Sequence, residues 1–596
     1  MYSPIYLIFI LASQVLAIWP APQSFTNGTS VLWIARGVQV TYNGGNVGWS
    51  PSSFDPVDTE QIMGIQSSSS YAAGNSTFSS NSIVQAAISR NLNTLFDQGL
   101  VPWKLVGRNQ LSQFEPAANS SQTFISSLAI TQTQADTLNT YKPLAGDVDE
   151  SYNLTITTDG KATISAVSST GVMHGLQTFI QLFYKHSTTA GMYTNLAPVS
   201  IIDAPKFAHR GLNMDVARNW FPMENIIRTI DALAMNKFNR LHLHMTDSQS
   251  WPMDIPALPD LSKKGAYQTG LSYTPTDIKQ IQTYAVERGI EVIIEFDMPG
   301  HTTSIGYAYP DLITGFDAKP WATYCAEPPC GSLQLNNTAV YDFLQTLFND
   351  VIPRVQPYSA YFHTGGDEVN SQVYLLDPTV KSNESSVIGP LIQKLVDRNH
   401  AQLRSSGLTP IVWEEMLLDW NLTLGSDVLV QSWLSDASVA AITAKGHKAL
   451  AGNYNFWYLD CGKGQWLDFD NGASFQTYYP FADYCSPTKS WRLVYAYDPL
   501  AGVPANQTHL VQGGEVHIWS EQTDPVNLDD MVWPRASAAG EVLWSGRQDA
   551  SGQNRSQITA SPRLAEMRER MVNTGVKVGP VQMVFCTQNN ATECSL

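Results

Sequence analysis

Between residues 211 and 296 the chain reads GLNMDV (211–216), NIIRTIDALAM (225–235), RLHLHM (240–245), PTDIKQIQTYAVER (275–288) and IEVIIEF (290–296). Short β-rich runs alternate here with longer runs whose apolar residues recur at helical spacing. The same rhythm continues through Ala360–Thr364, Pro410–Glu414, Val428–Trp433, Lys448–Gly452 and Val516–Trp519, with helical stretches such as Val340–Val351 between them. Eight strand–helix units predict an α/β fold of the eight-stranded (β/α) TIM barrel type, which needs about 250 residues before insertions. The surplus falls at 303–335 and 455–512. An open doubly wound sheet is the alternative, but no Gly-rich phosphate turn closes any of these strands.

Upstream, residues 101–204 predict a small α+β domain. Tyr152–Ile156 alternates as a strand, Asp159-Gly160 is a hairpin turn and Ala162–Ser168 alternates again. Gly171–Leu182 carries Met173, Leu176, Phe179 and Ile180 on one helical stripe. Residues 18–100 are rich in Ser, Asn and Gly and predict a weakly packed segment, a pro-region or a linker. Residues 205–596 hold the barrel and a C-terminal extension. The apolar run Ile5–Ala12 followed by Val15-Leu16-Ala17 has the form of a signal peptide over residues 1–17.

Composition narrows the setting. Of 596 residues 43% are hydrophobic and only 15% charged, with a net charge of −17. That surface repels phosphate backbones and argues against nucleic acid as a partner. No other stretch is long and apolar enough to span a bilayer. Asn-x-Ser/Thr triplets begin at Asn27, Asn75, Asn119, Asn153, Asn336, Asn383, Asn421, Asn506, Asn554 and Asn590. Six cysteines fall into local couples, Cys325/Cys330, Cys461/Cys485 and Cys586/Cys594, and in an oxidising compartment this clustering favours three loop staples. A secreted, extracellular glycoprotein is the expectation.

A barrel presents its chemistry at the C-terminal ends of its strands. In order those ends carry Asp215, Asp247, Asp297 with His301, Asp367-Glu368, Trp413, Trp433, Asn453 and Trp519 with Glu521. A single acid at a strand end is often only a polar cap; eight ends in register point to a site. In HTGGDEV (363–369) the Gly365-Gly366 pair allows the chain to bend so that both carboxylates enter one pocket. Two acids this close do not both ionise freely, so one proton is held near neutral pH, as general acid catalysis requires. Trp420, Trp466, Trp491, Trp533 and Trp544 read as core, and His174, His186, His400 and His447 as packing or surface residues.

The string His363-x-Gly-Gly-Asp-Glu resembles the active-site signature of the β-N-acetylhexosaminidases of glycoside hydrolase family 20, in their secreted fungal form. The likeness extends through HRGLNMDVAR (209–218), LHLHMTDSQSWP (241–252), IIEFDMPGHT (293–302), VWEE (412–415), NFWYLD (455–460), VHIWSE (516–521) and, upstream, STGVMHGLQTF (169–179). It implies exo-acting, substrate-assisted hydrolysis of terminal N-acetylglucosamine and N-acetylgalactosamine, chitin-derived oligosaccharides as substrate, a homodimer, a cleaved pro-segment as a possible partner, and no cofactor or metal. Carried over by position, it makes Glu368 the acid and base, Asp367 the group that holds the acetamido N–H, and Tyr458 the donor to the acetamido oxygen. Trp413, Trp433 and Trp519 would wall the pocket, while Arg210, Asp460 and Glu521 would bind sugar hydroxyls. Asp247 and His301 would support the pair. With so many acids, sulfated and sialylated termini are expected to be poor substrates.

Two other readings compete. His242-x-His244 puts two imidazoles on one strand face, as in metal-dependent barrel amidohydrolases. A non-catalytic glycan-binding barrel would need the catalytic pair to be lost, yet Asp367 and Glu368 both stand within their motif.

Overall fold

The computed structural model describes residues 18–49, 78–118, 122–468, 482–588 and 594. The expected signal peptide, and Asn75, Asn119 and Asn590, lie outside them.

The N-terminal domain is a sheet with two helices on it. Its strands are β1 (Ser24–Ile34), β2 (Gln39–Tyr42), β3 (Gly45–Asn46), β4 (Ser127–Gln132), β5 (Tyr152–Ile156), β6 (Lys161–Ala166), β7 (Tyr184–Lys185) and β8 (Met192–Asp203), with spatial order β1-β8-β5-β6-β4-β2-β3 and β7 against β8. Helices Ser80–Asp97 and Ser169–Gln181 pack together. The described parts of 18–100 are therefore not the weakly packed segment that their composition suggests. β1 pairs along β8, but its register shifts around Ser30 break the alternation that would have marked it as a strand. Helix Ser80–Asp97 starts on a capping box between Ser79 and Ser82 and buries Ile83, Val84, Ala87, Ile88, Leu92 and Leu95. Each such Ile, Val or Leu contributes about 1.5–3 kcal/mol of burial, enough to fix the helix to the sheet.

The barrel closes from β9 (His209–Asp215), β10 (Arg240–His244), β11 (Glu291–Glu295), β14 (Tyr361–His363), β15 (Thr409–Trp413), β16 (Leu429–Gln431), β17 (Lys448–Ala451) and β18 (Val511–Ile518). All neighbours are parallel, and β18 closes on β9 with Gly513 opposite His209. β18 begins five residues before the alternation of the sequence suggests. Gly513-Gly514 interrupts the pattern, and a Cβ at Gly513 would fall 1.8 Å from the His209 carbonyl oxygen. The insertion after β11 holds the short pair β12 (Ile313–Thr314) and β13 (Ser332–Leu333) and the Cys325–Cys330 disulfide. The Cys461–Cys485 bridge lies in the insertion after β17, and Cys586–Cys594 closes the C-terminal extension. No helix among the described residues is long and apolar enough to cross a membrane.

The two domains meet at the N-terminal end of the barrel through buried charges. Arg210 at the start of β9 donates from Nη1 to Glu150 at 3.0 Å and pairs through Nη2 with the same carboxylate. Burial pushes the Glu150 carboxyl up, but Arg210 and His174 hold it at about 2. Lys237, also fully buried, donates to Asp203 at 3.0 Å. Trp544 lies between the two cations, 5.0 Å from Arg210 and 4.4 Å from Lys237, and donates its indole N–H to Asp203.

Trp491, Trp533 and Trp544 are core, as their positions suggest. Trp466 is not: it is 38% exposed in the insertion after β17.

Candidate active site

The strand ends converge at the C-terminal mouth of the barrel. After β14 the chain turns on Gly365 (φ +67°) and Gly366 (φ +107°), and Glu368 itself has φ +54°. Only glycine fits at 365, where a Cβ would lie 1.8 Å from Asp297 Oδ1. The turn brings both carboxylates to the mouth with unequal exposure: the Asp367 side chain is 11% exposed and that of Glu368 34%.

Glu368 faces His301, whose Nε2 is 3.3 Å from Oε2. His301 Nδ1 lies 3.0 Å from Asp247 Oδ1. Burial works against a charged His301, but Asp247 and Asp297 beside it raise its pKa well above the ordinary histidine value, which favours the imidazolium. Asp247 also takes Arg218 Nη2 at 3.0 Å and His244 Nε2 at 2.7 Å.

Asp367 sits among other acids. Asp297 accepts the Gly366 N–H at 2.8 Å, and Glu415 accepts the Trp433 indole N–H at 3.1 Å. Burial raises the Asp297 and Glu415 carboxyls well above the usual range, and in each case Asp367 adds to the effect. The Asp367 carboxyl is raised too, again mainly by burial. The acid crowding expected of Asp367 and Glu368 is thus centred on Asp367, Asp297 and Glu415, with Glu368 beside the imidazolium.

Trp413, Trp433, Trp519 and Tyr458 form one cluster with the Cys461–Cys485 bridge. Tyr458 stacks on Trp433 at 6.1 Å and 11°, and Trp413 approaches Trp519 at 6.2 Å. The Trp413 indole N–H donates to Glu295 Oε1 at 2.8 Å, which fixes the ring. Asp460 and Glu521 stand on the rim next to these aromatics. Burial lifts the Asp460 carboxyl to about 7, and burial together with Glu327 raises that of Glu521 well above the usual range.

Arg210 does not reach this mouth. It is fully buried at the opposite end of β9, its guanidinium held by Glu150 and the Lys237 and Phe207 carbonyls. The arginine at the mouth is Arg218, three residues past the end of the same strand. It donates to Glu327 from Nε at 2.9 Å and from Nη2 at 2.6 Å, and lies 5.0 Å from the Trp519 ring. Strand direction was the signal that separates the two: in HRGLNMDVAR only the second arginine follows the C-terminal end. Glu327 had no such signal, because it comes from the disulfide-closed loop between β12 and β13. Glu295, Asp297 and Glu415 lie inside or next to motifs already noted, but their partners become visible only in three dimensions.

His242 and His244 commit both ring nitrogens to carboxylates, Glu295 and Glu515 for His242, Glu295 and Asp247 for His244.

Residues 207–547 match the glycosyl hydrolase family 20 catalytic domain, and residues 18–182 match a domain described as beta-acetyl hexosaminidase like. The chain belongs to glycosyl hydrolase family 20. It is a glycoside hydrolase of the β-N-acetylhexosaminidase type. A beta-hexosaminidase of Arthroderma benhamiae is 39% identical over 97% of both chains. A chitooligosaccharidolytic beta-N-acetylglucosaminidase of Ostrinia furnacalis is 33% identical over 75% of each. Among solved structures, the family 20 chitobiase of Flavobacterium johnsoniae aligns with a TM-score of 0.68 at 24% identity, covering 94% of this chain and 73% of its own.

Proposed function

We propose that this family 20 enzyme removes single terminal β-linked N-acetylglucosamine, and also N-acetylgalactosamine, residues from the non-reducing ends of chitin-derived oligosaccharides and glycans, with retention of configuration. The observation that carries the reading is the pair of adjacent carboxylates with different surroundings, Asp367 sunk among acids and Glu368 half-open against His301. The enzyme then follows the substrate-assisted exception to the two-carboxylate scheme. In the first step the sugar's acetamido oxygen forms a bond to C1 as the C1–leaving-oxygen bond breaks, and Glu368 gives its proton to the departing oxygen. Asp367 holds the acetamido N–H and offsets the positive charge that grows there, while Tyr458 aims the acetamido oxygen. In the second step Glu368 takes a proton from water as the water oxygen attacks C1 and the ring of the intermediate opens.

Trp413, Trp433 and Trp519 enclose the sugar, and Arg218, Asp460 and Glu521 hold its hydroxyls. A closed aromatic wall favours removal of one residue at a time. The names of the relatives support the glucosaminide and chitooligosaccharide reading. Three disulfides, and exposed asparagines at Asn27, Asn153, Asn336, Asn421, Asn506 and Asn554 with Asn383 half-buried, support a secreted glycoprotein.

The test is turnover of chitobiose with analysis of the products. Glu368→Gln and Asp367→Asn should each lower kcat by about a hundredfold or more, with affinity for N-acetylglucosamine retained. Undiminished turnover in both variants overturns the assignment.

A further inference from the structure

Beneath the pocket, carboxylates and imidazoles alternate in one hydrogen-bonded column down the barrel axis. From the mouth, Glu368 meets His301 at 3.3 Å, His301 meets Asp247 at 3.0 Å and Asp247 meets His244 at 2.7 Å. His244 then meets Glu295 at 2.6 Å and Glu295 meets His242 at 3.0 Å. His242 meets Glu515 at 2.9 Å and Glu515 meets His209 at 2.7 Å. The members below His301 come from β9, β10, β11, β18 and the turn after β10, and all are at most 1% exposed.

The fold does not require such a column. Barrel interiors are ordinarily filled with branched apolar side chains, and a layer of Ile293, Tyr361, Ile411, Leu429 and Leu450 packs that way in this barrel. Burying ions is costly, and well-packed apolar replacements are often as stable. The column must therefore be accounted for by what it touches, and it touches the site twice. Glu295 Oε2 takes His242 and His244 on the line to Glu368, while Oε1 takes the Trp413 indole at 2.8 Å with the His363 ring, which accepts the Gly365 N–H, beside it at 3.1 Å.

We propose that Glu515 and His242 are positioning residues for the hydrolytic reaction. From the far half of the barrel they hold Glu295 as a carboxylate that takes His242, His244 and the Trp413 indole, and through Glu295 they fix both the Trp413 wall and the His244–Asp247–His301 arm that aims at Glu368. The inference rests on Glu368 acting as acid and base in the function proposed above. Neither residue lies at the mouth, so each acts only through others.

The charge state agrees with this role. Burial opposes a charged His242, but Glu515 and Glu295 lift it to about 9. Burial likewise opposes charge on Glu295, and His244, His363 and His242 keep it ionised. The titratable groups facing His242 are Glu295 and Glu515, with His363 stacked on it at 4.7 Å and His209 and His517 nearby. Those facing His301 are Asp247, Asp297, Asp367, Glu368 and Glu327, with Arg218 behind Asp247. Removing the Glu515 charge leaves burial to lower the His242 pKa. His242 then loses its proton at a lower pH, and Glu295 loses one of its cationic donors.

The experiment is Glu515→Gln in the full chain, assayed with 4-nitrophenyl N-acetyl-β-glucosaminide over pH 4–10. The expected result is a kcat about three- to thirtyfold lower, KM within about twofold, and a basic limb of kcat displaced about one unit or more toward lower pH. Glu515→Asp, which keeps the charge, should restore the limb. A folded Glu515→Gln enzyme with wild-type kcat and basic limb, whatever its melting temperature, overturns the proposal. If that variant does not fold, His242→Gln is measured instead, and wild-type kcat overturns the proposal equally. Glu368→Gln separates the two layers. If it is active, the proposed function itself fails; if it is inactive while Glu515→Gln is normal, only the column's role fails.

Discussion

The two arginines of HRGLNMDVAR give a direct test of how the barrel divides its labour. Arg218→Met removes the guanidinium that is shared by Asp247 at 3.0 Å, Glu327 at 2.6 Å and Asp215 at 3.6 Å. If Arg218 also holds a sugar hydroxyl, the lost charge-assisted hydrogen bond costs about 1.5–3 kcal/mol, which is roughly ten- to 150-fold in kcat/KM. Arg210→Met instead strands Glu150 in the domain interface. Breaking a buried ion pair from one side costs about 3–5 kcal/mol, or roughly 6–10 °C of melting temperature at about 2 °C per kcal/mol. Well below the melting point its kcat/KM should stay within about twofold of wild type. The assay is steady-state turnover of the nitrophenyl glucosaminide at 25 °C alongside thermal melts of both variants. Loss of turnover at unchanged stability in the Arg210 variant, with a neutral Arg218 variant, would refute the placement of both residues.

Gly365→Ala should abolish turnover, because its Cβ would occupy the position of Asp297 Oδ1 at a backbone φ that alanine resists; kcat within tenfold of wild type contradicts this. The free enzyme's kcat/KM should show a limb near pH 7 from the raised Asp460 carboxyl, absent in Asp460→Asn, and a limb common to both proteins would assign it to another group. Stability should fall between pH 7 and 10. The raised His242 contributes fully below the ordinary histidine pKa and ceases to contribute as the pH rises through about 9, so the fall should be smaller in melts of His242→Gln, which keeps the raised His244 and His301. A 6-sulfated glucosaminide should turn over at least about tenfold more slowly than the neutral one. Arg218 is already paired, and Glu327, Asp460 and Glu521 add like charge at the mouth as the pH rises. Equal rates would exclude that barrier.

Much of this is legible in the sequence, for reasons that can be traced to residues. Barrel strands show as short β-rich runs, so the acids and tryptophans at their ends, Asp247, Asp367-Glu368, Trp413, Trp433 and Trp519, mark themselves. Cysteine couples five, 24 and eight residues apart pair locally. What escaped has equally definite causes. Arg210 and Arg218 sit in one motif, and only the direction of β9 tells which faces the pocket. β1 hides behind irregular register, and Ser79 reads as low complexity until it caps a helix. Glu327 arrives from a loop, where no period exists to announce it. The column from Asp247 to His209 joins residues 306 positions apart, so only folding makes it a unit.

The start of the described chain is fastened by its end. Ile18 and Trp19 are buried; the Trp19 indole donates to the Ser537 carbonyl, Arg563 Nη1 donates to the Ile18 carbonyl, and the Arg563 guanidinium lies over the Trp19 ring. During synthesis the first of these residues leaves the ribosome more than five hundred residues before its partners do. The N-terminal sheet can therefore assemble early, but the Ile18–Trp19 part of its seam cannot close until the helix Gln557–Asn573 has been made. Until then Trp19 and the underside of the nascent barrel stay open to water, which makes that seam the stage of biogenesis most exposed to aggregation or to a chaperone.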